Sequence, residues 1–142
     1  MNVFIVGAGP GDPELITVKG QKLLSEADVI IYAGSLVNPA LLDYAKAGCE
    51  IHNSASMTLP QVINVIEDSV KQGKMVVRLH TGDPSIYGAI QEQMDALDKL
   101  GIEYKVVPGV SSFLATAAAL KQEYTLPGIS QTVIITRNEG RT

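Results

Sequence analysis

The residues best placed for chemistry in this 142-residue chain lie in three glycine-containing loops. They are Gly7-Ala8-Gly9-Pro10-Gly11-Asp12-Pro13, Thr81-Gly82-Asp83-Pro84-Ser85 and Pro108-Gly109-Val110-Ser111-Ser112. Glycine lets backbone amides approach a ligand without interference from a Cβ, and an Asp-Pro pair can supply a helix N-cap followed by a residue with φ preset for the first turn. Each loop can also be read as a tight turn and nothing more. His80 directly precedes the second loop, a position from which a general base could act, but no residue beside it in sequence orients it. His52 is the only other histidine, and nothing in the chain spells a catalytic triad or a metal-binding cluster. No metal is therefore expected, and no catalytic residue can be assigned.

Several familiar functions are excluded by what the loops lack. In the first loop, Asp12 fills the third glycine position of a G-x-G-x-x-G dinucleotide fingerprint. The acidic residue that would end the second strand and hold a ribose is missing too, since Val29-Ile30-Ile31-Tyr32 runs into Ala33-Gly34-Ser35. No G-x-x-x-x-G-K-[ST] stretch is present. The formal charge of −4 speaks against nonspecific binding to nucleic acid or membrane, which needs an excess of Lys and Arg. Cys49 is the only cysteine, so no intrachain disulfide and no multi-Cys zinc site can form, which fits a reducing cytoplasm. The opening Met1–Gly7 has no basic run before its short apolar stretch, and reads as a first strand rather than a signal peptide or membrane span.

Short apolar runs bounded by Gly and Pro alternate with segments of helical period, which predicts an α/β fold: a mostly parallel sheet with helices on both faces. Strands are expected at Val3–Val6, Val29–Tyr32, Glu50–His52, Met75–Leu79 and Tyr104–Val107. Leu59, Val62, Ile63, Ile66 and Val70 fall on one helical face behind a Thr58/Gln61 capping box, with Gly73 as the stop. Ile86, Ile90, Met94 and Leu97 make a second apolar stripe ended by Gly101, and Ser111 or Ser112 can cap an alanine-rich helix. Thr132–Thr136 reads as one more strand, with no helix after it. These features predict an amino-terminal α/β domain over residues 1–124, and over 125–142 a linker with the first strand of an interrupted second domain. Such a chain should be inactive by itself.

The three loops, in this order, resemble those of the tetrapyrrole (corrin and porphyrin) methylases. Members open with Gly-x-Gly-Pro-Gly-Asp-Pro-x-Leu-[Ile/Leu]-Thr, matched by Gly7 through Thr17. They continue with Gly-Asp-Pro, matched by Gly82-Asp83-Pro84 with Tyr87-Gly88, and with Val-Pro-Gly-x-[Ser/Thr], matched by Val107 through Ser111. Tyr32–Val37 and Pro127–Val133 look like the branch that acts on precorrin-4 or cobalt-precorrin-4 at C11. The resemblance implies S-adenosyl-L-methionine as cofactor, bound between this domain and a second one. On this side it would touch Thr81, Gly82, Asp83, Ile86, Ser111 and Ser112. Gly9, Pro10, Gly11 and Asp12 would then line the trough for the tetrapyrrole substrate, and a cytoplasmic homodimer is implied. Basic groups should hold the substrate's carboxylates, with Lys19, Arg78 and Arg137 as candidates. Methylation of another corrin position or of uroporphyrinogen III stays open, as does a noncatalytic domain that binds an anionic ligand.

Overall fold

In the computed structural model of the chain, which describes residues 1–138, five strands pair side by side in parallel. They are β1 (Val3–Gly7), β2 (Val29–Tyr32), β3 (Glu50–Asn53), β4 (Val76–His80) and β5 (Tyr104–Val107), in the order β3-β2-β4-β1-β5. Parallel strands need crossovers, and the helices that supply them cover both faces, so the interior strands are apolar apart from Arg78 and His80 of β4 and Tyr32 of β2. Successive side chains of β4 alternate between the two layers. Val77 and Leu79 pack with Leu23, Leu24 and Leu41 on one face. Val76 packs with Val62, Ile63, Ile66 and Leu97 on the other.

Four expected strands stand within one residue of their predicted ends, and β4 is displaced by one. It starts at Val76 and runs to His80, which pairs with Gly7 of β1. Met75 lies outside the strand, where its carbonyl accepts from the amides of Asp28 and Val29.

Helix α1 (Val18–Glu26) is capped by Thr17, whose hydroxyl accepts from the Gly20 amide at 3.0 Å. Helix α2 (Leu59–Lys71) carries the expected capping box: the Thr58 amide donates to Gln61 Oε1 and the Gln61 amide donates to Thr58 Oγ1. Its buried Val62, Ile63 and Ile66 each contribute about 1.5–3 kcal/mol of apolar burial. Helix α3 (Ile90–Lys99) starts later than the apolar spacing predicts. Tyr87, Gly88 and Ala89 separate Ile86 from it, and both Tyr87 and Ala89 have positive φ, at 56° and 50°. A residue in that region cannot continue a right-handed helix. Ile86 therefore leaves the helical stripe and sits in the turn after Asp83.

The chain divides into two compact units, Met1–Ser112 and the remainder from Phe113. The predicted boundary near 124–128 lies inside the second. Helix α4 (Ser112–Leu120) opens it, and the Tyr124 ring stacks on Phe113 while its hydroxyl donates to the Phe113 carbonyl. Leu126 and Ser130 then form an antiparallel bridge around Pro127-Gly128. The strand expected at Thr132–Thr136 is absent. Its residues are β-prone, yet they pair with no strand among the described residues, and Ile134 remains 81% exposed. Propensity without a partner strand does not make a sheet.

Candidate functional site

The three glycine loops meet at the carboxyl ends of β1, β4 and β5, where backbone bonds join the first two and the Asp83 carboxylate joins the third. The Gly9 amide donates to the Gly82 carbonyl at 3.2 Å, and the Gly82 amide donates back to Gly9 at 2.8 Å. Asp83 Oδ1 accepts from the Ser85 amide at 2.8 Å, while Oδ2 accepts from the Gly109 amide at 2.9 Å. Glycine is required where the chains touch. A Cβ on Gly109 would stand 2.2 Å from the Gly82 carbonyl oxygen, and one on Gly7 would stand 2.6 Å from both that oxygen and the Gly109 Cα.

Beside this junction lies an open cavity of about 420 Å³, formed wholly within the first unit. Thr81, Gly82, Asp83, Ile86, Ser111 and Ser112, the six residues expected to touch the cofactor, all line it. Ile86 is 38% exposed, so the residue that left the helix forms an apolar wall. Thr81 Oγ1 is buried and has no hydrogen-bond partner among the described residues. A buried hydroxyl left unpaired is unfavourable by about 1–3 kcal/mol, and a ligand atom in the cavity would satisfy it.

The floor is polar although it grows from the sheet. Arg78 and His80 follow Val76 at two-residue steps on β4 and point to the α2/α3 side, and both are nearly inaccessible. Arg78 Nε donates to Gln93 Oε1 and Nη1 donates to the Ile31 carbonyl, both at 3.1 Å. Because guanidinium only donates, this fixes the Gln93 amide with Nε2 on its other side. That nitrogen donates to the Ala89 carbonyl at 3.2 Å and meets His80 Nε2 at 3.4 Å. The imidazole therefore accepts at Nε2 and carries its proton on Nδ1. Burial, reinforced by the Arg78 charge and opposed by the Gln93 contact, pushes the His80 pKa down to about 4. Burial also lowers Arg78 to about 10, which leaves it charged at neutral pH. His80 is thus a neutral group near pH 7 and a poor general base.

The first loop lies outside the cavity lining. Gly9 is buried in its pairing with Gly82, the Gly11 carbonyl accepts from Asn38 Nδ2 at 2.7 Å, and Asp12 caps a short 3-10 turn at Pro13–Leu15. Pro10 is half-buried beside them. Of the basic candidates, Arg78 lines the cavity, whereas Lys19 is an exposed residue whose pKa is lowered by neighbouring Lys105. Sequence reading missed Gln93. Its one signal is a polar residue three after Ile90 and four before Leu97, on a face that is otherwise buried. Among the described residues, no three His, Cys, Asp or Glu come together as metal ligands would, and no helix is long and apolar enough to cross a membrane.

A parallel α/β sheet with a cavity at the carboxyl ends of its strands, edged by glycine loops, defines a small-ligand-binding domain. The family model described as Tetrapyrrole (Corrin/Porphyrin) Methylases matches residues 2–142, and the chain belongs to that family. It is 67% identical over 140 residues to the cobalt-precorrin-4 C(11)-methyltransferase of Methanocaldococcus jannaschii, covering 99% of this chain and 54% of that protein. A solved cobalt precorrin-4 methyltransferase superposes with a TM-score of 0.95 at 53% identity, covering 98% of this chain and 58% of the other. The uroporphyrin-III C-methyltransferase of Thermus thermophilus, solved in complex with S-adenosyl homocysteine, superposes at 0.76 with 34% identity, covering 93% and 53%. The chain spans about half the length of the curated relatives it matches.

Proposed function

We propose that the chain is part of an S-adenosylmethionine-dependent methyltransferase of corrin biosynthesis that methylates precorrin-4 or cobalt-precorrin-4 at C11. The observation that carries this is the cavity, whose wall combines an unpaired buried hydroxyl at Thr81, a glycine without side chain at Gly82 and the apolar Ile86. High identity to a methyltransferase of that specificity along almost the whole chain supports the substrate. The residues fit the cofactor: Thr81, Ser111 and Ser112 offer hydrogen bonds to its polar groups, and Ile86 packs against its apolar surface. When bound, the cofactor supplies an electrophilic methyl group on a sulfonium.

The protein's own part is to position and to exclude water, so no nucleophilic side chain is required. The neutral His80 suits this, since a second cation beside Arg78 would oppose a positively charged sulfonium. Asp83 fixes the loop that carries Thr81 and Gly82, and the same carboxylate borders the cavity. Residues 125–142 are read as a linker into a second domain, the first loop as the edge of the tetrapyrrole trough, and the complete protein as a cytoplasmic homodimer. The chain by itself is expected to turn over no substrate.

Calorimetric titration with S-adenosylhomocysteine and with adenosine tests the cofactor, and equal affinities would oppose it. Mass spectrometry of cobalt-precorrin-4 treated with the complete enzyme and cofactor tests the reaction. The expected product gains one methyl, at C11, and methylation elsewhere on the ring would overturn the specificity.

A further inference from the structure

Arg78 is a buried cation with no anion to balance it among the described residues. The residue is 6% exposed, yet both of its protein partners, Gln93 Oε1 and the Ile31 carbonyl, are neutral. Of the five guanidinium N–H donors, these bonds use two, and the remaining three have no protein partner among the described residues. The groups packed around it offer no compensation. Ile5 of β1 and Ile31 of β2 stand in register on either side, α3 presents the amide of Gln93, and His80 on its own strand is neutral. Asp83, the carboxylate bordering the cavity, already accepts from the Ser85 and Gly109 amides.

A buried charge left unpaired is unfavourable by several kcal/mol, and an apolar residue at position 78 would avoid that penalty inside an otherwise aliphatic sheet. Retaining arginine there makes sense if an anion arrives from the cavity, which Arg78 lines. We propose that Arg78 receives a carboxylate of a ligand bound in this cavity. The guanidinium fork matches a carboxylate, and burial strengthens the pairing. Resting on the function proposed above, two sources carry this chemistry: the amino-acid tail of the S-adenosyl cofactor and the acidic side chains of a tetrapyrrole.

The chain has only two histidines, so the His80 ring resonances serve as a local reporter in NMR titrations at millimolar ligand. The probes are S-adenosylhomocysteine, 5′-methylthioadenosine, which keeps the nucleoside and thioether but lacks the amino acid, and uroporphyrin III as a carboxylate-rich tetrapyrrole. If the cofactor tail is the partner, the first binds about tenfold or more tightly than the second, and Arg78→Met removes the difference without changing methylthioadenosine affinity. If the tetrapyrrole is the partner, Arg78→Met instead weakens uroporphyrin by a similar factor. In either case, binding raises the His80 pKa, Arg78→Lys keeps part of the affinity, and urea unfolding shows Arg78→Met to be as stable as the parent or more so. Affinities for S-adenosylhomocysteine and uroporphyrin both within twofold of the parent in Arg78→Met would overturn the proposal. Failure of the parent to bind either nucleoside would sink the cofactor reading alone, with the uroporphyrin arm still deciding the role of Arg78. A parent that binds none of the three overturns both.

Discussion

Asp83 Oδ2 accepts a hydrogen bond from the amide of Gly109 at 2.9 Å, across 26 residues of sequence, and so ties the loop after β4 to the loop after β5. The same carboxylate caps Ser85 through its other oxygen. Both bonds are assisted by charge; the part-buried one to Gly109 contributes about 1.5–3 kcal/mol, and the exposed one to Ser85 adds less. Asp83→Ala should therefore lower the stability of the chain by about that amount, as well as disturb the cavity wall. From sequence alone a loop carboxylate would be assigned to ligand contact, with the fold indifferent to its loss. Urea denaturation decides, and a change below about 0.5 kcal/mol would show that the bridge contributes little.

Gly109→Ala is expected to be among the most damaging single-methyl additions in the chain. The new Cβ would overlap the Gly82 carbonyl, and backbone on both sides leaves little room to yield. Overpacking of this kind costs about 1–3 kcal/mol or more. Gly101→Ala makes the control, because that site has open space around it although its φ is +67°. A smaller loss at 109 than at 101, measured by thermal unfolding, would contradict the tight packing of the loops. Gly9→Val, attractive from sequence as a probe of the first loop's ligand face, separates nothing here. Gly9 has φ +79° and bonds to Gly82, so its substitution would disturb the cavity as well.

Much of this was legible in the sequence wherever a local pattern and its tertiary use coincide. Thr58 and Gln61 cap α2 because a capping box closes on itself within four residues. β2 and β5 have the predicted ends because their apolar runs stop where the ladder stops. The extension of β4 to His80 was hidden, since a histidine looks like the end of an apolar run while its backbone still pairs with Gly7. Thr132–Thr136 shows the opposite failure, a convincing local pattern whose pairing depends on another strand. The six residues expected at the cofactor border one cavity, because the loops that carry them meet at the ends of neighbouring strands. Arg78 could be named but not chosen, and Gln93 was missed, because a buried polar pair is defined by contacts across 15 residues of separation.

Acid should weaken the fold through His80. Its pKa is about 4 in the folded chain against 6.5 when unperturbed, so as pH falls below 6.5 the unfolded state takes up a proton that the folded state refuses. Stability is then unaffected well above pH 6.5, declines between 6.5 and 4, and gains no further loss from this group below 4. Between pH 7.5 and pH 5 the linkage amounts to about 2 kcal/mol. His80→Gln should flatten this part of the pH dependence of urea unfolding. An unchanged slope in the variant would show that His80 is not the group being protonated.

Thr81→Val should move stability and affinity in opposite directions. In the free chain the Thr81 hydroxyl is buried without a partner, an arrangement unfavourable by about 1–3 kcal/mol. Valine keeps the branched shape and removes the unsatisfied oxygen, so the ligand-free variant should be as stable as the parent or up to about 1 kcal/mol more so. If the hydroxyl is held in reserve for a ligand, the same change deletes a hydrogen bond on binding, and S-adenosylhomocysteine should bind about tenfold more weakly, which corresponds to about 1.4 kcal/mol. Methylthioadenosine distinguishes where that bond is made, since it shares the nucleoside but not the amino-acid tail. Urea unfolding gives the first quantity, and NMR titration of the His80 ring gives the second. A stabilised variant with undiminished affinity would mean that the orphan hydroxyl faces no ligand, and Thr81 would leave the site.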